Sequence, residues 1–189
     1  MIFALTAGGS LAFYAFTTYM QTFLTNTAHY SKAAATEISA ASLVIFLVIQ
    51  PLFGWIGDMI GRKTLLALAF GLGALTTWPI MTAIGASRAR GDALILACVA
   101  LTILAGYTAV NAVVKSELFP THVRALGVAL PYALANALFG GTAEYVALWF
   151  KQAGREGGFY IYVSIVLAVA CAVALGMRDT QKHGLIVED

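Results

Sequence analysis

The stretch Gly54-Trp55-Ile56-Gly57-Asp58-Met59-Ile60-Gly61-Arg62-Lys63 decides how this chain folds. It reads G-x-x-x-D-x-x-G-R-K and stands between two long apolar runs. A short charged turn in that place takes the chain out of one membrane helix and into the next. Gly54 and Gly61 permit close packing and a tight turn. Asp58, at the end of a span, can face the N-terminus of another helix, whose dipole favours negative charge. Arg62 and Lys63 are placed to pair with acids on neighbouring turns.

The residues around this turn are those of a membrane protein. Hydrophobic residues make up 60% of the 189 positions and charged residues 11%, against about 25% charge in an ordinary soluble domain. Mean hydropathy is +0.84. Six apolar runs long enough to cross a bilayer are expected, over residues 2–24, 38–57, 64–86, 93–114, 125–150 and 159–177. Only helices and closed barrels satisfy the backbone in lipid, and these runs are too long and too evenly apolar for alternating strands. The expected fold is therefore an all-α integral membrane bundle of six helices in one domain, residues 1–189. Trp55, Trp149, Tyr160 and Tyr162 fall near span ends, as an interfacial belt would have them.

Several function classes drop out. A net charge of +2 with no basic tract argues against nucleic acid as a partner. Cys98 and Cys171 lie in different apolar runs, and His29, His122 and His183 fall in turns or the tail. Neither set has metal-ligand spacing. An intramembrane enzyme needs facing nucleophiles, ligands or acid–base pairs, and only Glu144 lies clearly inside a span, so no catalytic residue is assigned. No Lys or Arg precedes the first apolar run and no cleavage site follows it, which argues against a signal peptide. The chain opens almost directly inside a span, so a piece of a longer protein is expected. Arg62, Lys63, Lys115, Arg124, Arg178 and Lys182 fall on one side, and Lys32, Arg88, Arg90, Lys151 and Arg155 on the other. That balance leans towards cytoplasmic termini.

A second constellation, Lys115-Ser116-Glu117-Leu118-Phe119-Pro120-Thr121-His122-Val123-Arg124, joins the fourth span to the fifth. Pro120 stops the helix, and Glu117 and Arg124 flank it on the same side as Arg62. Asp58, Arg62, Lys63, Glu117 and Arg124 form a candidate latch, an ion-pair network that holds one conformational state over another. Within the first span Tyr14, Thr17, Thr18 and Gln21 recur at helical spacing and make one polar face. In the fourth span Gly106, Tyr107, Thr108 and Asn111 do the same, and Asn136 is a further polar candidate in the fifth. Interhelical hydrogen bonding by Thr and Tyr is the alternative. Gln50 stands beside Pro51, where it could satisfy backbone groups freed at a kink. Glu144 lies about 19 residues into its span, near the far interface at about 1.5 Å of rise per residue. That suits a structural or gating role better than a midplane proton carrier.

The motif at Gly54–Lys63, followed by E-L-F-P-x-x-x-R at Glu117–Arg124, resembles the carboxyl-terminal half of a major facilitator superfamily transporter. The strings Gly8-Gly9-Ser10-Leu11-Ala12-Phe13-Tyr14 and Asn136-Ala137-Leu138-Phe139-Gly140-Gly141-Thr142-Ala143-Glu144-Tyr145 are similar to the metabolite:proton symporter branch. The resemblance implies helices 7–12 of a twelve-helix protein, in a bacterial-type inner (plasma) membrane with cytoplasmic termini. It implies symport of a proton with a small organic acid, α-ketoglutarate or a related dicarboxylate, by alternating access. Related substrates in the branch are shikimate, citrate and betaine or proline, and an inactive truncated protein is the other alternative. The implied partners are substrate, proton, lipid bilayer and an amino-terminal six-helix bundle, with no cofactor beyond the coupling proton. Tyr14, Thr18, Gln21, Tyr107, Asn111 and Asn136 become cavity candidates, since the helices carrying the first two polar faces open the two three-helix repeats. No Lys or Arg is expected deep in these spans, so the cations a dicarboxylate needs are expected from the other half.

Overall fold

A computed structural model of the chain describes residues 1–118 and 121–177, omitting the side chains of 121–124. Regular structure among the described residues is helical throughout: α1 Ile2–Phe16, α2 Thr18–Asn26, α3 Lys32–Ile60, α4 Arg62–Ala86, α5 Arg90–Thr108, α6 Asn111–Glu117, α7 Thr121–Ala135, a π-helical turn Asn136–Gly140, α8 Ala143–Gln152 and α9 Glu156–Gly176. Five segments are long and apolar enough to cross a membrane: Lys32–Ile60, Arg62–Ala86, Arg90–Glu117, Ala125–Gln152 and Glu156–Gly176. The first expected span is present as α1 and α2, interrupted at Thr17.

The turn that opened the reading is as short as a turn can be. One residue, Gly61, separates α3 from α4, and its φ of 93° is a backbone conformation that side chains disfavour. The expectation for Gly54 is not met: a side chain there would meet nothing within 4 Å. The close approach falls instead at Gly57, against Val110 of the loop between α5 and α6. Ser31 begins α3 by accepting a 3.2 Å hydrogen bond from the Ala34 amide, an ordinary N-cap.

α1 lies at the centre, touching α2, α4, α5, α7, α8 and α9. The most extensive contacts are those of α4 with α9 and α5, and of α3 with α5. Lipid tails are as apolar as leucine, so packing rather than water exclusion must hold such helices together. Small residues allow it, and Ala69, Ala97, Ala100, Ala105, Ala170 and Ala174 are all buried at these contacts. Tyr160 belongs to this core and not to the interfacial belt, because it is buried edge-on between Phe23 and Trp78. One face of α3 remains uncovered along Val44, Leu47, Val48, Leu52 and Trp55, as does one of the fifth span along Leu126, Leu130, Leu134 and Leu138.

Three interruptions distinguish the helices around one side of α1. At Thr17 the hydroxyl donates to the Phe13 carbonyl at 2.6 Å, the back-bonding that bends helices. At Ala109 and Val110 the fourth span shifts ladder: the Val110 amide reaches Tyr107, three residues back, at 3.3 Å. Asn111 Nδ2 then donates to the Thr108 carbonyl at 3.1 Å. The third is the π-turn at Asn136–Gly140, closed by the Gly141 amide on the Asn136 carbonyl at 2.8 Å.

Candidate functional site

The second and third interruptions border a cavity of about 200 Å³. Its wall is made by Gly9, Ser10, Phe13 and Tyr14 of α1, Tyr107 and Thr108 of α5, Asn111 of α6, Tyr132 of α7 and Asn136 of the π-turn. Four of the candidates from sequence, Tyr14, Tyr107, Asn111 and Asn136, are thus brought together. Two glycines make the seats. A methyl on Gly140 would stand 2.7 Å from Tyr14 Cε2, and one on Gly9 would stand 2.0 Å from Tyr107 Cζ. Only hydrogen at those positions lets the two rings lie where they line the cavity.

Thr18 and Gln21 are not part of this wall. The break at Thr17 carries α2 off the line of α1, so the polar face does not continue straight. Thr18 is exposed, and Gln21 donates from Nε2 to Thr36 Oγ1 of α3 at 2.9 Å. Thr108, read as part of the stripe, does line the cavity and donates to Gln50 Oε1 at 3.0 Å. Gln50 therefore joins α3 to α5 and is not bonded to backbone freed at Pro51.

The residue whose contacts the sequence did not disclose is Lys115. By its position before Glu117 it belongs with the charged turn, yet it is 3% exposed. Its Nζ donates to Tyr107 Oη at 3.1 Å and to Asn111 Oδ1 at 2.9 Å. The same nitrogen lies 4.7 Å from the centre of the Tyr132 ring and 5.4 Å from that of Tyr107. Lys115 stands two residues from the end of the Arg90–Glu117 span, and its ammonium turns back towards the cavity wall. The signal was in the spacing: Lys115 stands four residues after Asn111 and eight after Tyr107, on the same helical face.

At the end of the bundle beyond α3 and α6, Arg62 is bound on two sides. It donates to Asp58 Oδ1 from Nε at 3.3 Å and from Nη2 at 3.0 Å, and from Nη1 to Glu117 Oε1. The Glu117 side chain is 8% exposed against 61% for Asp58, so the pair with Glu117 is the desolvated one. Lys63 makes no ion pair among the described residues, and the Arg124 side chain lies outside them.

The opposite end holds a second network that sequence reasoning did not find. Glu156 Oε1 accepts from Thr27 Oγ1 at 2.5 Å and from Tyr19 Oη at 3.2 Å, with Lys151 Nζ 3.8 Å away. Lys151 also donates to Thr27 Oγ1 at 2.5 Å. Glu144, the acid singled out in the fifth span, accepts from Thr22 Oγ1 at 2.8 Å. These contacts tie α2 to α8 and α9, and no local motif marks them because the partners lie more than 120 residues apart. No group of acids, histidines and cysteines among the described residues could hold a metal ion.

Comparison with known proteins agrees with this architecture. Residues 1–186 match the family described as Sugar (and other) transporter. The chain is 46% identical to an α-ketoglutarate permease of Escherichia coli K12, over 96% of its own length and 42% of the permease. It is 29% identical to a citrate-proton symporter of Salmonella typhi, over 95% of this chain and 42% of the symporter. It is 25% identical to a proline/betaine transporter of Escherichia coli K12, over 93% and 35% respectively. The chain thus spans less than half the length of the curated relatives it matches. No solved structure matches it at a significant level.

Proposed function

We infer that this chain, which belongs to the sugar (and other) transporter family of the major facilitator superfamily, forms the carboxyl-terminal six-helix bundle of a proton-coupled importer of small organic acids. The relatives are permeases, transporters and symporters, not enzymes. The substrate we assign is α-ketoglutarate or a related dicarboxylate.

The observation that supports this most directly is the cavity beside the breaks at Ala109–Val110 and Asn136–Gly140. Hydroxyl residues Ser10, Tyr14, Tyr107, Thr108 and Tyr132 and the amide residues Asn111 and Asn136 line a space of about 200 Å³. That falls below the range of about 300–1,000 Å³ usual for a complete small-molecule site. Half a site is what one bundle of a two-bundle transporter supplies, with the amino-terminal bundle as the other wall. Alternating access would then rock the two bundles about it. In this reading Asp58, Arg62, Lys63, Glu117 and Arg124 latch the cytoplasmic end. Glu144, with Glu156 and Lys151, works at the outer end in gating. The uncovered faces of α3 and of the fifth span go to lipid and to the partner bundle, in a bacterial inner membrane with both termini cytoplasmic.

The test is transport by an assembled protein. The amino-terminal half of the E. coli permease is fused in frame to this chain, checked for monodispersity and reconstituted in proteoliposomes. An inward proton gradient should drive accumulation of radiolabelled α-ketoglutarate, and a protonophore should abolish it. A monodisperse fusion that accumulates betaine or proline but no dicarboxylate, or nothing at all, sinks the assignment.

A further inference from the structure

We propose that Lys115 is the anchor for a carboxylate of the transported anion, the residue by which this half of the cavity selects acids. The proposal rests on the reading of the chain as half of an organic-acid importer.

Lys115 carries an unbalanced charge. A buried cation is costly unless an anion accompanies it. Among the described residues the ion pairs are Arg62–Asp58, Arg62–Glu117, Arg90–Glu37 and Lys151–Glu156, and Lys115 is in none of them. Glu117, two positions along, is turned away to Arg62. What surrounds the ammonium is neutral: a tyrosine hydroxyl, an asparagine carbonyl and the faces of two tyrosine rings. Such groups ease desolvation without cancelling the charge. An ammonium has three N–H donors, and only two have acceptors among the described residues.

The position of the charge supplies the rest. Tyr107, Asn111 and Tyr132, the residues that touch Nζ, all line the cavity. Lys115 itself is almost wholly enclosed and stands behind that wall, so an anion entering there faces its charge across Tyr107, Asn111 and Tyr132. A carboxylate there neutralises the charge, and a turn of the lysine side chain would bring the third N–H to it as a charge-assisted hydrogen bond. A solute carrying its own cation gains less, because like charges then share the cavity.

The bland alternative is that Lys115 only ties α6 to α7 through Tyr132. The two accounts differ in what removal of the charge does to stability. A structural tie, once cut, lowers stability. A site held ready for an absent ligand carries an uncompensated cost, so removing the charge leaves the ligand-free protein as stable or more so.

The experiment uses the reconstituted fusion described above, as wild type and with Lys115→Met, Lys115→Gln and Lys115→Arg. Uptake KM for α-ketoglutarate and the thermal midpoint with and without it are measured for each. For at least one neutral variant we expect a ligand-free midpoint at or above wild type, a KM raised about 30-fold or more, and no stabilisation by α-ketoglutarate. Lys115→Arg keeps the charge and should retain the ligand-induced rise in midpoint. The proposal is overturned if a neutral variant keeps that rise and a KM within about threefold of wild type. It is equally overturned if both neutral variants unfold or melt far below wild type, which marks a structural lysine. If the wild-type fusion takes up no carboxylate, the importer reading itself has failed and this proposal falls with it.

Discussion

Tyr107 lies flat against the backbone of Gly9, so close that a methyl at Gly9 would sit 2.0 Å from Cζ and 2.1 Å from Cε1. The ring is buried and packs on Phe70 at 5.2 Å, while its hydroxyl accepts from Lys115. Glycine on one helix thus fixes where a hydroxyl on another is presented. We expect Gly9→Ala to drive the ring out of its seat at a cost of about 1–3 kcal/mol, the usual range for overpacking. Gly9→Ala combined with Tyr107→Leu should recover much of that stability without recovering uptake. Denaturant titration of the purified chain in detergent, beside uptake by the fusion, reads both. Equal stability of Gly9→Ala and wild type would show that the seat is not tight.

Burial separates two ion pairs that look alike in sequence. Arg62 with Glu117 is mostly withdrawn from solvent, whereas Arg90 and Glu37 are 65% and 69% exposed. Arg62→Ala leaves a buried carboxylate without its partner and should cost about 3 kcal/mol or more. Arg90→Ala should cost less than about 1 kcal/mol. The two variants, titrated side by side in detergent, should differ clearly; a matching loss would mean that Glu117 finds water when Arg62 is gone.

A pair of threonines on α5 offers a similar contrast. Thr108 donates across helices to Gln50 Oε1, while Thr102 donates only to the Cys98 carbonyl of its own helix. Gln50 Nε2 is already buried without a partner. Thr108→Val strips the remaining side-chain bond from Gln50 and should cost about 1–2 kcal/mol. Thr102→Val should change stability by less than about 0.5 kcal/mol. Reversal of that order would remove Gln50 from the α3–α5 contact.

Glu156 gathers Tyr19, Thr27 and Lys151 at the end of the bundle opposite Arg62. Glu156→Gln keeps the shape but ends the ion pair with Lys151, and a cost of about 1 kcal/mol is expected at this partly exposed site. Cysteine cross-linking between α2 and α9 should become less efficient in that variant. Unchanged cross-linking would mean that the apolar contacts of Phe23 and Phe159 hold those helices without the carboxylate.

How much of this was legible in the sequence depends on the distance between cause and effect. Gly61 and its turn were readable because φ, charge and apolar flanks all sit within ten residues. Tyr14, Tyr107, Asn111 and Asn136 were readable because polar side chains in apolar helices are few and regularly spaced. Thr18 and Gln21 fall outside the cavity wall for a local reason: the stripe assumes one straight helix, and α1 is interrupted at Thr17. Lys115 was read only as part of the charged stretch with Glu117 and Pro120. Its long side chain instead runs back to Tyr107, and snorkelling in that direction leaves no trace in a hydropathy profile. Glu156 could not have been found by spacing, since Tyr19 and Thr27 reach it from the other end of the chain.

The interruptions at Thr17 and at Ala109–Val110 also bear on how water meets the backbone. In a membrane-embedded helix an amide exchanges its proton only where the ladder is broken and solvent can arrive. Both conditions coincide here, because Tyr14 and Thr108, each within three residues of a break, line the same cavity. Deuterium should therefore enter near the breaks in the first and fourth spans well before it enters α9, which has no proline or break within Glu156–Gly176. The exchange pattern along the chain would then trace the solvent path from the inside, residue by residue, with no ligand required to reveal it.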